Sequence, residues 1–400
     1  MKKLITFVAS VIFMYSCSDG FEPTPEPTPK PEQPSYTTEV GHNPEPYFSE
    51  TVELMGVIFR LAGAPEFCGS SGCQVESIAN DVDEYFAHMK DHQAVTLAKT
   101  YRSRSFGYDA IAAYGVQLTF NNLGEIIFEK NYIEGSNTSF DRWSKSEKNN
   151  MLNAVRDFYK TSHFHEWFIS TETEQQQAIS SFKSACNFDY DWFDIFYGEN
   201  DTIASRIILS FMVGNHNYGI SLKRKNSTYL LSPVIGCLRK NFNGVEYIGG
   251  TYIIAHEFSH PHCNPLIDAN WSYIANKAGA IFNQVSSLMQ AQAYGSPNIM
   301  MYETLVRACA IRYLQTHNES YLADQYILYD KSNGFIMVNA IIEALQRFEQ
   351  MSDVYETLTD FMPEIINVIN NFNPNNILLK NNNPEFNLPI PMRYYSNHAL

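Results

Sequence analysis

The chain has 400 residues, a formal net charge of −15 at pH 7, 44% hydrophobic residues and 14% aromatic residues. That length and apolar content supply a sizeable core, arranged as one two-lobed body or two domains. The acidity, with no cluster of Lys and Arg after the first few residues, argues against a nucleic-acid partner, because a phosphate-binding face needs concentrated positive charge.

Lys2 and Lys3 precede an apolar run over residues 4–15, too short to span a bilayer and suited to a secretory signal. The run ends at Ser16-Cys17, which resembles a bacterial lipoprotein cleavage site; "CSDG" is similar to the start of surface-exported lipoproteins of the Bacteroides group. The resemblance implies a lipid on Cys17 and a place in the cell envelope, anchored to the outer membrane and facing the periplasm or the surface. Residues 1–17 are then the signal. Residues 18–47 form a linker, in which "EPTPEPTPKPEQP" favours a polyproline II spacer of about 3.1 Å per residue.

The body begins near Phe48. Ile78, Val82, Tyr85, Phe86 and Met89 recur at helical spacing, and so do Met151, Leu152, Val155 and Phe158. "RIILSFMVG", "YGISLKR", "TYLLSPVIG" and "EYIGG" are short β-rich runs broken by Gly, Asn and Pro, which predict antiparallel strands joined by hairpins. Helical periodicity returns at Thr251 and lasts to about Asn371, followed by an Asn- and Pro-rich tail. The expected division is 48–265, with helices, strands and the motif helix, and 266–400, mainly helical. Six cysteines follow Cys17: Cys68, Cys73, Cys186, Cys237, Cys263 and Cys309. In an oxidising compartment an even number permits disulfides, and "FCGSSGC" suggests Cys68–Cys73, because Gly69 and Gly72 let a loop close tightly.

The stretch "TYIIAHEFSHPHCNP" carries the chemistry. On a helix His256 and His260 differ by about 40° in direction, so both imidazoles can reach one cation. Glu257, about 100° from His256, can take a proton from water on that cation. Gly249-Gly250-Thr251 supplies a helix start, and Pro261 predicts that the helix stops near His260.

A catalytic zinc needs a third protein ligand and one open position. Glu303 in "MMYETLVRACAIRYL" shares a helix face with Val306, Ala310 and Tyr313, where a carboxylate is costly unless paired or bound to metal. An ion pair with Arg307, one turn later, is the competing reading of Glu303. His262, two residues past His260, is the rival ligand. Asn264 can hold a ligand histidine by a hydrogen bond. His163 and His165 read as structural. Tyr302, Arg307 and Tyr313 are the candidate donors to a transition state.

"HEFSH" with the downstream "YETLVRA" resembles the gluzincin group of HExxH zinc peptidases. More narrowly, "HEFSHPHCNPL" and "ETLVRACAIRY" are similar to a family of secreted bacterial lipoproteins known only as a domain of unknown function. The resemblance implies an α+β, zincin-like fold: a small antiparallel sheet plus the active-site helix, flanked by mainly helical N- and C-terminal regions. It further implies one Zn2+ per chain on His256, His260 and Glu303, Glu257 as general base, and a peptide or protein substrate. Gluzincins commonly carry an Asp four residues after the third ligand; this chain has Arg307 there. A monomer is expected. The alternative is a catalytically inactive surface lipoprotein that binds glycan or peptide, a reading to which the 25 Tyr and 4 Trp lend stacking surfaces.

Overall fold

Several of the long helices start where the sequence offers a cap or a break. Residues 44–374 are described by the computed structural model, apart from 105, 131–141, 199–202, 224, 226–228 and 293. The signal, Cys17, most of the linker and most of the tail lie outside the described residues. In chain order the elements are β1 (Pro46–Phe48), α1 (Glu50–Leu61), α2 (Glu76–Tyr85), α3 (Gln93–Arg102), α4 (Asp109–Gln117), β2 (Leu118–Phe120), β3 (Ile126–Phe128), α5 (Lys145–Thr161), α6 (Phe164–Ser170), α7 (Glu172–Ala185) and α8 (Tyr190–Tyr197). There follow β4 (Ile203–Ser205), β5 (Ile207–Leu209), β6 (Asn217–Lys223), β7 (Tyr229–Ile235), β8 (Leu238–Asn241), β9 (Gly244–Tyr247), α9 (Gly250–Ala291), α10 (Pro297–Thr316), α11 (Ser320–Ser332), α12 (Val338–Gln350) and α13 (Leu358–Asn371). This is an α+β protein with helical flanks. Among the described residues no helix is long and apolar enough to cross a membrane.

Ser144 and Glu147 cap each other's backbone N–H at the start of α5, and Thr357 and Asp360 do the same for α13. Met151, Leu152, Val155 and Phe158 of α5 are buried, as their spacing predicts. Helix α10 begins with Pro297 in its first turn and is buried from Ile299 to Leu314 on every side, which makes it a central rather than a surface helix. It packs along α9, and α11 and α12 pack against it in turn.

Helix α9 corrects one expectation: it does not stop at His260 but continues through Pro261 and Pro265 to Ala291. Each proline deletes a backbone bond, at Glu257 and at Pro261, and an interior proline costs about 3 kcal/mol. Burial of Ile253, Ile254, Phe258, Cys263, Ile267 and Ile274 outweighs that local cost. The continuation carries α9 well past the motif alongside α10.

The main sheet is mixed, not wholly antiparallel. Strand β6 runs antiparallel to β7, as the hairpin pattern predicts, and β9 runs antiparallel to β8, a strand outside the four β-rich runs read from the sequence. Strands β4 and β5, however, pair parallel to β7, and β1 pairs parallel to β5. Since β4 and β5 occupy one side of β7 and β6 the other, β6 ends the sheet among the described residues. Cys68 and Cys73 are also unbridged: the Cys68 thiol donates to the Arg60 carbonyl at 3.6 Å and the Cys73 thiol to the Val75 carbonyl at 3.5 Å.

Candidate metal centre

The start of α9 is set by two glycines. Gly250 has φ +67°, a left-handed conformation that disfavours any side chain, and the Tyr247 hydroxyl donates to the Gly250 carbonyl at 3.0 Å. From there residues 251–259 are all buried, so the helix enters the core directly with its first turns. His256 is 0% exposed and Glu257 3%.

His256 and His260 project from one face, with Nε2 to Nε2 at 3.1 Å and their rings edge to face. Glu303, 0% exposed on α10, brings Oε1 to 3.5 Å from His260 Nε2 and Oε2 to 3.7 Å from His256 Nε2. The three residues form a cluster whose donor atoms lie within 4.8 Å of one another. A tetrahedral zinc with donors at about 2.0–2.1 Å separates neighbouring donors by about 3.3–3.4 Å. The observed separations bracket that edge, so these side chains fit a divalent ion.

The two oxygens of Glu303 have different surroundings. Oε2 accepts from the Tyr294 hydroxyl at 3.4 Å and faces Arg307 Nε at 3.3 Å. Oε1 is buried without a hydrogen-bond donor, turned toward His260. A buried carboxylate oxygen in that position is costly unless something cationic meets it. Arg307 is anchored behind Glu303: its Nη1 donates to Asp330 Oδ1 at 2.5 Å, its Nη2 to the Tyr294 hydroxyl at 3.2 Å, and its guanidinium lies 4.1 Å over the Phe335 ring. The ion pair expected as the competing reading of Glu303 therefore coexists with the histidine contacts.

His260 Nδ1 lies 3.3 Å from Asn264 Oδ1. With the proton on Nδ1, the ring donates to Asn264 and leaves the Nε2 lone pair for a cation. Burial lowers the pKa of His256 well below the ordinary imidazole value, aided by His260 and Arg307, and burial lowers that of His260 as well. Both rings are held neutral, the form that ligates metal. Burial, and then the charge of Glu303, raise the Glu257 carboxyl well above the usual carboxylate range, while the backbone of Gly219 hydrogen-bonds it. His260 is the member of the cluster with some solvent access, its side chain 12% exposed, so the open side of the cluster lies there.

Gly219 sits opposite Pro233 in the β6–β7 ladder. Proline has no N–H to give, so this is a non-hydrogen-bonded pair and Gly219 turns its backbone groups away from β7, toward α9. A Cβ at residue 219 would lie 2.9 Å from the Glu257 carbonyl, 3.1 Å from its carboxylate and 3.4 Å from His260 Cβ. Strand β6 approaches the motif helix this closely because the residue there has no side chain.

Other expected site residues lie elsewhere. Tyr302 donates its hydroxyl to Asp268, since one residue before Glu303 means about 100° around the helix. Tyr313 is about 15 Å further along α10; its hydroxyl accepts from the Asp189 N–H at 2.6 Å and its ring stacks on Phe188 and His317. Neither faces the cluster. Arg307 steadies the Glu303 carboxylate and is itself fully buried. His262 stacks on Tyr197 with centroids 4.3 Å apart and is not in the cluster. His165 Nδ1 contacts Glu50 at 2.9 Å, a structural role as expected. Tyr294, Asp330 and Gly219 are the residues that sequence reasoning missed.

A family model described as "Domain of unknown function (DUF4932)" matches residues 48–368. The chain belongs to the DUF4932 family. Its matched region starts where the body was expected to begin and contains the whole cluster, Asn264, Arg307 and Asp330. No curated protein and no solved structure matched the chain.

Proposed function

We propose that this DUF4932 protein is a zinc-dependent peptidase, with His256, His260 and Glu303 as the metal ligands and Glu257 as general base. The observation that carries the reading is the convergence of two buried donors, His256 and Glu303, and the half-buried His260 at near-tetrahedral spacing beside a second carboxylate, Glu257, that is held separately. Zinc bound there would supply Lewis acidity, lowering the pKa of its water toward about 7 and polarising a carbonyl.

The chain's own residues supply the rest. Glu257 accepts a proton and returns it to the leaving amine; burial raises its proton affinity above that of an exposed carboxylate. Gly219 holds the Glu257 carboxylate from β6, and Asn264 fixes the His260 tautomer. The closing edge of the sheet lies next to Glu257, because Gly219 of β6 reaches it and β7 is covered on both sides. Gly219 already gives its outward backbone group to Glu257, so an extended peptide would pair with β6 to either side of that residue, and its backbone would lie alongside the cluster, the mode by which sheet edges take peptides. Tyr294 and Arg307 hold one oxygen of Glu303 and leave the other for the ion.

The test is hydrolysis of casein and of a peptide library by the zinc-loaded protein and by Glu257→Gln. The variant should keep its metal and lose at least about 100-fold in rate, the scale of general-base catalysis. Equal rates in both would remove Glu257 from the chemistry.

A further inference from the structure

Three residues beyond His260, on α9, Cys263 lies with its Sγ 3.8 Å from the Sγ of Cys309 on α10. Both are 0% exposed. The other four described cysteines are engaged elsewhere: Cys68 and Cys73 with backbone carbonyls, Cys186 with Tyr247 and Cys237 with Asn217. The Tyr197 hydroxyl, 3.6 Å from the Cys263 sulfur, closes the pocket around the pair. We propose that Cys263 and Cys309 form a disulfide that ties α9 to α10.

A disulfide needs its sulfurs about 2.05 Å apart, so the pair must close by about 1.8 Å, within the reach of side-chain rotation and a small helix shift. The secretory leader expected from the sequence places the chain where such bonds form and persist. The oxidant is a disulfide of protein or small-molecule class. One thiolate attacks it and displaces a thiol; the second thiolate attacks the mixed disulfide and displaces the other. Two S–H bonds break, one S–S bond forms, and both electrons and both protons leave on the two released thiols. Since both cysteines are buried, the exchange belongs to folding, before α9 and α10 close on each other. The bond would fix the separation of the two helices that bring His256, His260 and Glu303 together, whatever ion or substrate that cluster takes.

The test uses the full chain produced in an oxidising compartment, denatured with excess iodoacetamide and no reductant, then digested for mass spectrometry. Most molecules should yield the Cys263 and Cys309 peptides joined, two hydrogen masses below the sum of the free peptides and separable by reduction. Alkylation of both cysteines in most molecules, or joining of either to a different cysteine, would overturn the proposal. As a second measurement, the Cys263→Ser/Cys309→Ser protein should melt about 5 °C below the unreduced wild type, a gap that a reductant closes. A gap of the same size with and without reductant contradicts the bond.

Discussion

Arg307 lies between two fully buried carboxylates, Glu303 at 3.3 Å and Asp330 at 2.5 Å. Replacing it with Met keeps most of its volume and strands both charges. Breaking a buried ion pair by removing one partner costs about 3–5 kcal/mol. For a body of about 320 residues the unfolding entropy near 60 °C is about 0.7 kcal/mol/K, so the melting temperature should fall by about 4–7 °C. The assay is thermal unfolding followed by near-ultraviolet circular dichroism, run with chelator and again with excess zinc. A divalent ion on Glu303 would supply the missing positive charge, so Arg307→Met should lose less stability with zinc than without. Asp330→Asn added to Arg307→Met should recover part of the loss in chelator. If Arg307→Met melts with the wild type when metal is stripped, the ion pair does not hold this part of the core. If zinc leaves the deficit unchanged, Glu303 is not a ligand.

Asn264→Ala should weaken zinc binding about 10–100-fold, measured by competition with a chromogenic chelator, because the His260 tautomer loses its partner; unchanged affinity would deny Asn264 that role. Gly219→Val should disturb Glu257 and His260 through the close approach of β6, cutting peptidase rate more than zinc affinity; an unaltered rate would show that β6 can yield. Glu53, buried in α1 with neither carboxylate oxygen meeting a hydrogen-bond donor, has its carboxyl pushed up to about 8 by desolvation. Between about 4.5 and about 8 the folded chain holds a proton there that the unfolded chain releases, so stability falls with rising pH, by about 1.4 kcal/mol per unit at most. Glu53→Gln should flatten this part of the melting profile and melt higher than wild type at pH 8; parallel profiles would refute the assignment.

The motif was legible because its geometry is local. Period 3.6 places His256 and His260 on one face, and an acid on the apolar phase of "YETLVRACAIRYL" singles out Glu303. Pro261 misled for the opposite reason: its cost is local, and the apolar side chains that outweigh it meet partners from α10 and the sheet. The parallel strands were hidden because β1 and β5 pair across residues 48 to 207, a distance no hairpin pattern reports. Asp330 could have been found: it shares a helical phase with buried Ala323 and Tyr326, so it too is an acid on an apolar face. Gly219 left a trace as a glycine inside a strand pattern, a common mark of close backbone approach. Tyr294 left none, since only the fold brings it to Glu303.

Metal analysis of the purified protein tests the central claim most directly. After incubation with zinc and exhaustive dialysis, the wild type should retain about one zinc per chain, as one three-ligand site requires, and Glu303→Ala should not. A wild type that keeps no stoichiometric divalent metal, or a Glu303→Ala variant that keeps all of it, would contradict the three-ligand centre.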